Sequence, residues 1–173
     1  MKKKNKGLDF EVDKLTNSIE NRITHEFFDT EVNRIGIKDI NQIKKSDWQF
    51  NWKKEIKNHS KEVYKLTTVA NPFVIQGLLS IENKDDHFFM HLIESAKFNK
   101  GKEKMYLGVL GNLVAYACKV SKDIGYGGFV AFDSKTALIQ HYEKVLGATH
   151  FGGIRMVIAE REALKLIIQY FKS

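Results

Sequence analysis

Three consecutive β-like runs in the middle of the chain limit most strongly how it can fold. The run "EVYKLTTV" at 62–69 alternates apolar and polar residues. The runs "VIQGLLSIEN" at 74–83 and "HFFMHLIESA" at 87–96 are rich in β-branched and aromatic residues. Only the short stretches "NPF", which contains Pro72, and "NKDD" separate the three runs. Because short connections join neighbouring antiparallel strands, these runs predict a three-stranded antiparallel meander.

Helices and strands alternate after the meander. Apolar periodicity predicts a helix that ends at Gly125 and a second one that ends at Gly147, both followed by β-like runs. The unit from 87 to 134 should be a right-handed crossover between two parallel strands. The sequence therefore predicts an α/β fold with a mixed, mostly antiparallel central sheet and flanking helices. The predicted elements are a helix at 109–124, a strand at 127–134, a helix at 135–147, a strand or hairpin around Gly152 and Gly153 at 148–159, and a helix at 160–171.

The N-terminal third, residues 8–58, is predicted to be helical. Residues 8–34 carry apolar side chains close to a helical period, namely Leu8, Val12, Leu15, Ile19, Ile23 and Phe27. Residues 38–58 predict a helix or a helix plus turn, although the alternation of Trp48, Phe50 and Trp52 leaves a strand open. Residues 1–6 are expected to be disordered. The chain has one proline and no Ser/Gly-rich linker, so we expect a single domain over 1–173.

The charge of the chain is basic, with a formal net charge of +7 over 173 residues. Lysines cluster at 2–6, 44–65 and 97–104, which favours polyanionic partners or simply a solvated surface. No apolar run approaches the ~20 residues that cross a membrane, and no apolar stretch follows the basic N-terminus, so we expect a cytoplasmic protein without membrane association. The single cysteine and the spacing of the histidines predict neither a disulfide nor a metal site.

A glycine pair, Gly108 and Gly111, follows the third lysine cluster in "KFNKGKEKMYLGVLGN". A helix N-terminus binds phosphate through its free N–H groups, and glycine lets a ligand approach the backbone closely. The G-x-G-x-x-G and G-K-[ST] patterns are absent, which argues against a dinucleotide fold or a P-loop. The residues alone leave two interpretations open, a phosphate site or a turn before a buried helix.

The order of these elements and two short motifs resemble the GCN5-related N-acetyltransferase (GNAT) superfamily over residues 62–159. The segment "KTALIQHYEKVLGATHF" is similar to a family signature that ends in Tyr-x-x-Leu-Gly, through Tyr142, Leu146 and Gly147, with one extra residue after the tyrosine. The segment "MYLGVLGNL" is similar to the family's glycine turn through Gly108. The resemblance implies the GNAT fold and an acetyl-CoA-dependent N-acetyltransferase, with the acceptor amine attacking the thioester directly.

The resemblance also implies where acetyl-CoA, the co-substrate, would bind. The cofactor would lie where the strand 87–96 separates from the strand 127–134. Backbone groups near Ile93, Glu94 and Ser95 would pair with the pantetheine arm. Lys102 and Lys104 would meet the 3′-phosphate. The pyrophosphate would lie on the glycine turn and the following N–H groups, at Gly108, Val109, Leu110, Gly111, Asn112 and Leu113.

Candidate catalytic residues follow from the same resemblance. Tyr142 would protonate the departing thiolate, although it could equally be a core aromatic residue beside Leu138, Val145 and Leu146. Glu94 is a candidate base, because an apolar strand end would raise its pKa toward neutrality. His91 and Glu82 are rival bases, and water is a further one. Strict alternation would place Glu94 on the same face as Phe88, Met90 and Leu92, opposite Phe89, His91, Ile93 and Ser95.

The acceptor and the partners are open at this stage. The acceptor is an amine-bearing molecule, and the basic surface is compatible with a toxin-like acetyltransferase that acts on aminoacyl-tRNA. A non-catalytic binding module with the GNAT fold is the second alternative. Cys118 is expected in the core rather than as a nucleophile. The apolar stripe of the last helix predicts either core packing or a homodimer surface, and consists of Ala163, Leu166, Ile167 and Tyr170.

Overall fold

A seven-stranded mixed sheet organises the chain. The computed structural model describes residues 7–15 and 18–171. The strand order of the large sheet is β3-β4-β5-β6-β8-β10-β9, and a small sheet has the order β2-β1-β7. The strands are β1 (Ile19–Asn21), β2 (Phe27–Phe28), β3 (Thr30–Arg34), β4 (Lys61–Thr68), β5 (Gly77–Asn83), β6 (Phe88–Ser95), β7 (Tyr106–Leu107), β8 (Val130–Asp133), β9 (Thr149–His150) and β10 (Arg155–Ile158). The α-helices are α1 (Trp52–Lys57), α2 (Val109–Asp123), α3 (Ile139–Leu146) and α4 (Glu160–Tyr170).

The central part of the chain confirms the predicted order of elements. Strands β4, β5 and β6 form an antiparallel meander, and β6 pairs in parallel with β8 across the α2 connection. The other neighbours in the large sheet are antiparallel, so the predicted mixed, mostly antiparallel sheet is confirmed. Helix α3 ends at Gly147, whose φ of 66° is left-handed and suits glycine. Strands β9 and β10 form the predicted hairpin around Gly152 and Gly153.

The predicted helix at 8–34 is wrong. Leu8, Phe10 and Val12 are buried while the acidic residues between them are exposed, which is the two-residue period of extended chain. Ile23 and Phe27, which the helical interpretation needed on its apolar face, are 73% and 54% exposed. Strands β1, β2 and β3 occupy the rest of this segment, and β3 pairs with β4 at the edge of the large sheet. The expected disorder at 1–6 lies outside the described residues.

The segment 38–58 is broken into short helical pieces rather than one helix. Two 3-10 helices, Ile37–Gln42 and Lys45–Asp47, precede the six-residue helix α1. Trp52 is buried here, in a small apolar cluster on one face of the sheet that comprises Ile35, Ile43, Trp52, Ile56, Val63 and Leu78. Helix α2 packs against the opposite face in the main core, and α4 packs against α2. The stripe on α4 is buried within the chain, which agrees with the predicted core packing.

A β-bulge interrupts strand β6 and changes which side chains share a face. Ser80 pairs with Leu92 and Ile81 pairs with Met90, so the register skips His91. Met90 and Ile93 therefore both lie in the main core, although strict alternation put them on opposite faces. Glu94 is placed on the other face, beside Trp52 of the small cluster. The predicted shared face of Met90 and Glu94 is wrong, because the bulge shifts the alternation by one residue.

Within residues 7–15 and 18–171, every helix is too short or too polar to cross a bilayer. The same ranges contain no group of three or more His, Cys, Asp or Glu side chains arranged to hold a metal ion.

Candidate functional site

A gap in the large sheet opens where β6 and β8 separate. The two strands pair only at Phe88 with Val130 and at Phe89 with Ala131. Beyond these pairs, β6 continues to Ser95 beside β5 alone. The N–H of Ala96 donates to the Gln76 carbonyl on the β5 side (2.9 Å), and strand backbone groups alternate in direction. The N–H and C=O groups of Ile93 and Ser95 therefore point into the gap, where the resemblance placed the pantetheine arm.

Tyr142 of helix α3 lies at the β8 side of this gap. Its side chain is fully buried, and its ring stacks on Phe10 with centroids 4.7 Å apart and meets Phe132 edge-on. The hydroxyl donates a 2.6 Å hydrogen bond to the Phe10 carbonyl and lies 3.4 Å from the Leu8 carbonyl. Burial, and then the nearby carboxylates of Asp9 and Glu11, raise the pKa of Tyr142 far above its usual range. The hydroxyl is therefore protonated at neutral pH.

The glycine turn lies at the start of helix α2, after β7 has paired with β1. Gly108 is the residue that precedes the helix, and its φ of 87° is left-handed. In any α-helix, the N–H groups of the residue before the helix and of its first three residues have no partner within the helix. The Gly108 N–H donates to Asp13 Oδ1 (3.1 Å), and Lys104 Nζ lies 3.0 Å from Asp13 Oδ2. The predicted phosphate position thus holds a carboxylate of the chain itself.

The set of backbone donors is smaller than the sequence predicted. The N–H of Asn112 donates to the Gly108 carbonyl (3.0 Å), so it is used within the helix. Leu113 lies one residue further into α2, where N–H groups are also bonded within the helix, and its side chain packs against Gly77. The expectation that Asn112 and Leu113 offer free N–H groups is wrong. The N–H groups that the helix itself leaves without a partner are those of Gly108, Val109, Leu110 and Gly111, and the Gly108 N–H already donates to Asp13.

Gly111 has a packing role that the sequence did not indicate. A Cβ at this position would lie 2.3 Å from the Tyr170 hydroxyl and 3.2 Å from a methyl group of Leu15. The second glycine of the pair therefore lets α4 and the N-terminal segment approach α2 closely. This close packing is enough to explain why a glycine stands at position 111, without any ligand. The Gly111 N–H is nevertheless one of the first-turn groups that have no partner within the helix.

The lysines of the 97–104 loop are largely paired with the protein. Lys97 donates to the Ser46 carbonyl, and Lys100 Nζ lies 2.9 Å from Glu94 Oε2. Lys104 is paired with Asp13, as described above. Lys102 is exposed on the loop. Of the predicted phosphate-binding lysines, Lys104 therefore lies at the glycine turn through its pair with Asp13, and Lys102 is exposed to solvent.

Glu94 binds a turn of the protein. Its Oε2 accepts hydrogen bonds from the Gln49 N–H (2.8 Å) and from Lys100 Nζ (2.9 Å). Its Oε1 accepts from the Phe50 N–H (3.2 Å) and from the indole N–H of Trp52 (2.8 Å). Burial raises the pKa of this carboxyl, but the four hydrogen bonds outweigh burial and hold it below its ordinary value of 4.5. The predicted upward shift of the pKa of Glu94 is wrong, since these donors stabilise the charged form.

His91 and Glu82, the rival bases, form one pair. His91 Nε2 lies 2.8 Å from Glu82 Oε1. Burial lowers the pKa of His91 despite this neighbour, so the imidazole is neutral at pH 7. Hydrogen bonds from His91 and Lys84 lower the pKa of Glu82, which is therefore ionised. A neutral imidazole whose N–H donates to a carboxylate keeps a lone pair on its other nitrogen and can accept a proton.

Two cavities meet at Leu8 in the gap. The larger, of about 320 Å³, is lined by Ile93, Ser95, Lys104 and Leu110 and by residues 8–11. A smaller recess of about 200 Å³ is lined by His91, Phe89 and Phe50, again with Leu8. Leu8 and Phe50 therefore line both the cavity that contains the predicted cofactor contacts and the recess that contains His91.

Sequence reasoning missed the segment Leu8–Asp13, which lies in the gap. Its signal was present, because the run "LDFEVD" alternates strictly between apolar and acidic residues. Cys118 is buried in α2, and burial raises the pKa of its thiol to about 12, which agrees with the predicted core position.

The chain matches no protein-family model and no curated protein sequence. Solved structures that are similar to it include two N-acetyltransferases. One is the ribosomal-protein-S18-alanine N-acetyltransferase from Escherichia coli, with 12% identity and a TM-score of 0.49 over 75% of this chain and 94% of that one. The other is a spermidine N-acetyltransferase chimera from Vibrio cholerae, with 13% identity and a TM-score of 0.48 over 79% and 98%. Both TM-scores are below 0.5.

Proposed function

We propose that this protein is an acetyl-CoA-dependent N-acetyltransferase that transfers the acetyl group to a primary amine. The observation that carries the proposal is the meeting of three features at one gap in the sheet. These are the open strand edge at Ile93 and Ser95, the first turn of α2, whose Leu110 lines the same cavity, and the Tyr142 hydroxyl, which bonds to Phe10 in the wall of that cavity. The three features are complementary to the amides, the pyrophosphate and the thioester sulfur of one long ligand.

Binding would use mainly the backbone. The outward N–H and C=O groups of Ile93 and Ser95 would pair with the amides of the pantetheine arm, as a strand pairs with a neighbour. The N–H groups from Gly108 to Gly111 would hold the pyrophosphate at the positive end of α2. Lys104, with Lys102 nearby, would add charge-assisted contacts to the 3′-phosphate. Leu110 lines the same cavity and would contact the arm.

The chemistry would use Tyr142 as the acid and the His91–Glu82 pair as the base. The amine nitrogen attacks the thioester carbonyl carbon, the carbon–sulfur bond breaks, and Tyr142 protonates the leaving sulfur. His91 takes the proton that the amine loses, with Glu82 holding the imidazole in the tautomer that can accept it. The lowered pKa of His91 supports this role, because the imidazole is neutral at the pH of the reaction.

A non-catalytic binding module is the second candidate, and one observation favours it. Leu8–Asp13 lies in the gap and bonds to Tyr142, Gly108 and Lys104. If the segment never leaves, acetyl-CoA does not bind.

Titration calorimetry with acetyl-CoA, followed by thiol-release assays, tests the proposal. The acceptor panel should contain a polyamine, a peptide with a free α-amine and an aminoacyl-tRNA. We expect Tyr142→Phe to keep cofactor binding and to lower turnover by about 10²-fold or more, the range for general-acid catalysis. Tyr126→Phe is the matched control, because its hydroxyl contacts only the exposed Asn83 side chain among the hydrogen bonds described. The absence of both binding heat and a thermal shift at millimolar acetyl-CoA would sink the enzyme hypothesis in favour of the binding module. Full turnover in Tyr142→Phe would remove this tyrosine from the mechanism.

A further inference from the structure

The segment Leu8–Asp13 meets the sheet on the β8 side of the gap, where Leu8 alone forms an isolated bridge. The Leu8 N–H donates to the Asp133 carbonyl (2.6 Å), and the Lys135 N–H donates to the Leu8 carbonyl (2.9 Å). Leu8 forms a parallel bridge with Ser134, directly after β8. The segment thus uses the edge that β8 presents where β6 has separated from it. Its position is that of an extended ligand added to a sheet edge.

The contacts of the segment coincide with the proposed cofactor contacts. The Phe10 carbonyl accepts the Tyr142 hydroxyl, the proposed thiolate acid. The Asp13 carboxylate accepts the Gly108 N–H and pairs with Lys104, where the pyrophosphate and the 3′-phosphate would bind. A carboxylate at a helix N-terminus satisfies the same donors and the same dipole as a phosphate does.

The side chains of the segment fill the gap in the same way. Leu8, Phe10 and Val12 are buried, and the Phe10 ring stacks on Tyr142. The Val12 N–H donates to His141 Nε2 (3.0 Å), which anchors the segment to α3. The segment therefore combines an apolar stretch in the gap with an anion at the α2 N-terminus, and acetyl-CoA would have the same distribution of polarity.

We infer that Leu8–Asp13 is a built-in competitor of acetyl-CoA, which binds only when the segment leaves the gap. This inference rests on the proposed function. The two occupants need the same Tyr142 hydroxyl, the same Gly108 N–H and the same Lys104 ammonium, so they exclude one another. The apparent dissociation constant is then the intrinsic constant divided by the fraction of molecules with the segment displaced. The segment acts as an autoinhibitory element that sets how much cofactor is needed.

The full-length variants Asp13→Ala and Glu31→Ala, titrated with acetyl-CoA by calorimetry, test the inference. Both remove one negative charge, but Glu31 is exposed on the edge strand β3 and makes none of the side-chain hydrogen bonds described, while Asp13 holds Gly108 and Lys104. We expect Asp13→Ala to bind acetyl-CoA about tenfold more tightly than wild type, because two charge-assisted contacts of the competitor are lost. Glu31→Ala should stay within about twofold.

The opposite result is expected if Asp13 only supports the glycine turn. Asp13→Ala would then bind no more tightly than Glu31→Ala, and the inference would be overturned while the proposed function stands. If neither wild type nor Asp13→Ala binds at millimolar acetyl-CoA, both the inference and the proposed function fail.

Amide hydrogen exchange on the wild-type protein gives a second readout that needs no variant. The Leu8 and Val12 amides are hydrogen-bonded, so both should be protected without ligand. Saturating acetyl-CoA should remove this protection at both amides while α2 stays protected. Continued protection of Leu8 and Val12 in the saturated protein would show that segment and cofactor coexist, which overturns the inference.

Discussion

Replacing Glu94 by glutamine should destabilise the protein strongly, because this buried carboxylate binds the turn at 49–52 and Lys100. It accepts four hydrogen bonds, from two backbone N–H groups, one indole and one ammonium. A glutamine amide has a single acceptor oxygen, so its NH₂ group must face two of these donors, and Lys100 loses its counter-charge. Losing one partner of a buried charged network costs several kcal/mol, and retaining two of the four bonds places the expected loss at about 3 kcal/mol. For a chain of this size, that lowers Tm by roughly 6–12 °C.

The pH dependence of this loss follows from the lowered pKa of Glu94. Its folded-state pKa lies below the ordinary value of 4.5, so the unfolded chain takes up a proton first as pH falls. The stabilisation by Glu94 is complete above the unfolded-state pKa and disappears as pH falls through the folded-state pKa. The amide that replaces the carboxyl in Glu94→Gln cannot titrate, so the stability difference between wild type and variant should be largest at pH 7 and shrink below about pH 4.5.

Denaturant unfolding at several pH values between 3 and 7 measures this difference. Glu31→Gln is the matched control, because Glu31 is exposed on the edge strand β3 and should change stability by less than about 0.5 kcal/mol. A Glu94→Gln protein as stable as this control at pH 7 would refute the claim that the hydrogen bonds of Glu94 stabilise the fold. A difference that stays constant down to pH 3 would refute the assigned pKa direction.

Two further predictions concern α2. Gly111→Ala should lower the free energy of unfolding by about 1–2 kcal/mol, because the new methyl group would meet the Tyr170 hydroxyl. Adding Tyr170→Phe should recover part of this loss. Strictly additive effects of the two substitutions would contradict the contact. Cys118 should resist iodoacetamide at pH 8 in the folded protein and react after denaturation, since burial raises the pKa of its thiol to about 12. Mass spectrometry follows this labelling, and stoichiometric modification of the folded protein would contradict the buried position.

The central meander could be predicted because its signals are local. Alternating apolar residues and two short turns determine β4, β5 and β6 without reference to the rest of the chain. The glycine that ends α3 is equally local, since a left-handed residue must follow the helix. The N-terminal strands were missed because the run from Leu8 to Phe27 fits a helical spacing at some positions and a two-residue spacing at others. The contacts of Phe10 with Tyr142 and Phe132 decided between the two, and these partners lie more than a hundred residues away.

The site was only partly predictable, for a related reason. The positions of Ile93, Ser95 and Gly108 relative to the gap depend on strand order, which the pattern of elements implied. The faces of β6 depend on the bulge at His91, which arises from its register with β5 and has no local signal. The lowered pKa of Glu94 depends on donors from the turn at 49–52, which tertiary folding brings to it. In the sequence, a strand end surrounded by apolar residues suggested desolvation alone, which raises the pKa of a carboxyl. The hydrogen bonds to Glu94 lower its pKa instead.

The segment and the cofactor would each bind in the gap for a different physical reason. Pyrophosphate carries more negative charge than the single carboxylate of Asp13, so it is the stronger ligand for the α2 N-terminus. The segment is tethered, and a short tether gives an effective concentration in the millimolar range. A tenfold gain in affinity for Asp13→Ala would mean that the segment occupies the gap in at least about 90% of wild-type molecules, since the apparent constant scales with the displaced fraction. Such a population remains reversible, because a cofactor with sufficient intrinsic affinity still draws the minor open form into the bound state. A regulated enzyme therefore needs a measurable fraction of molecules in which the segment is displaced, whereas a binding module needs none.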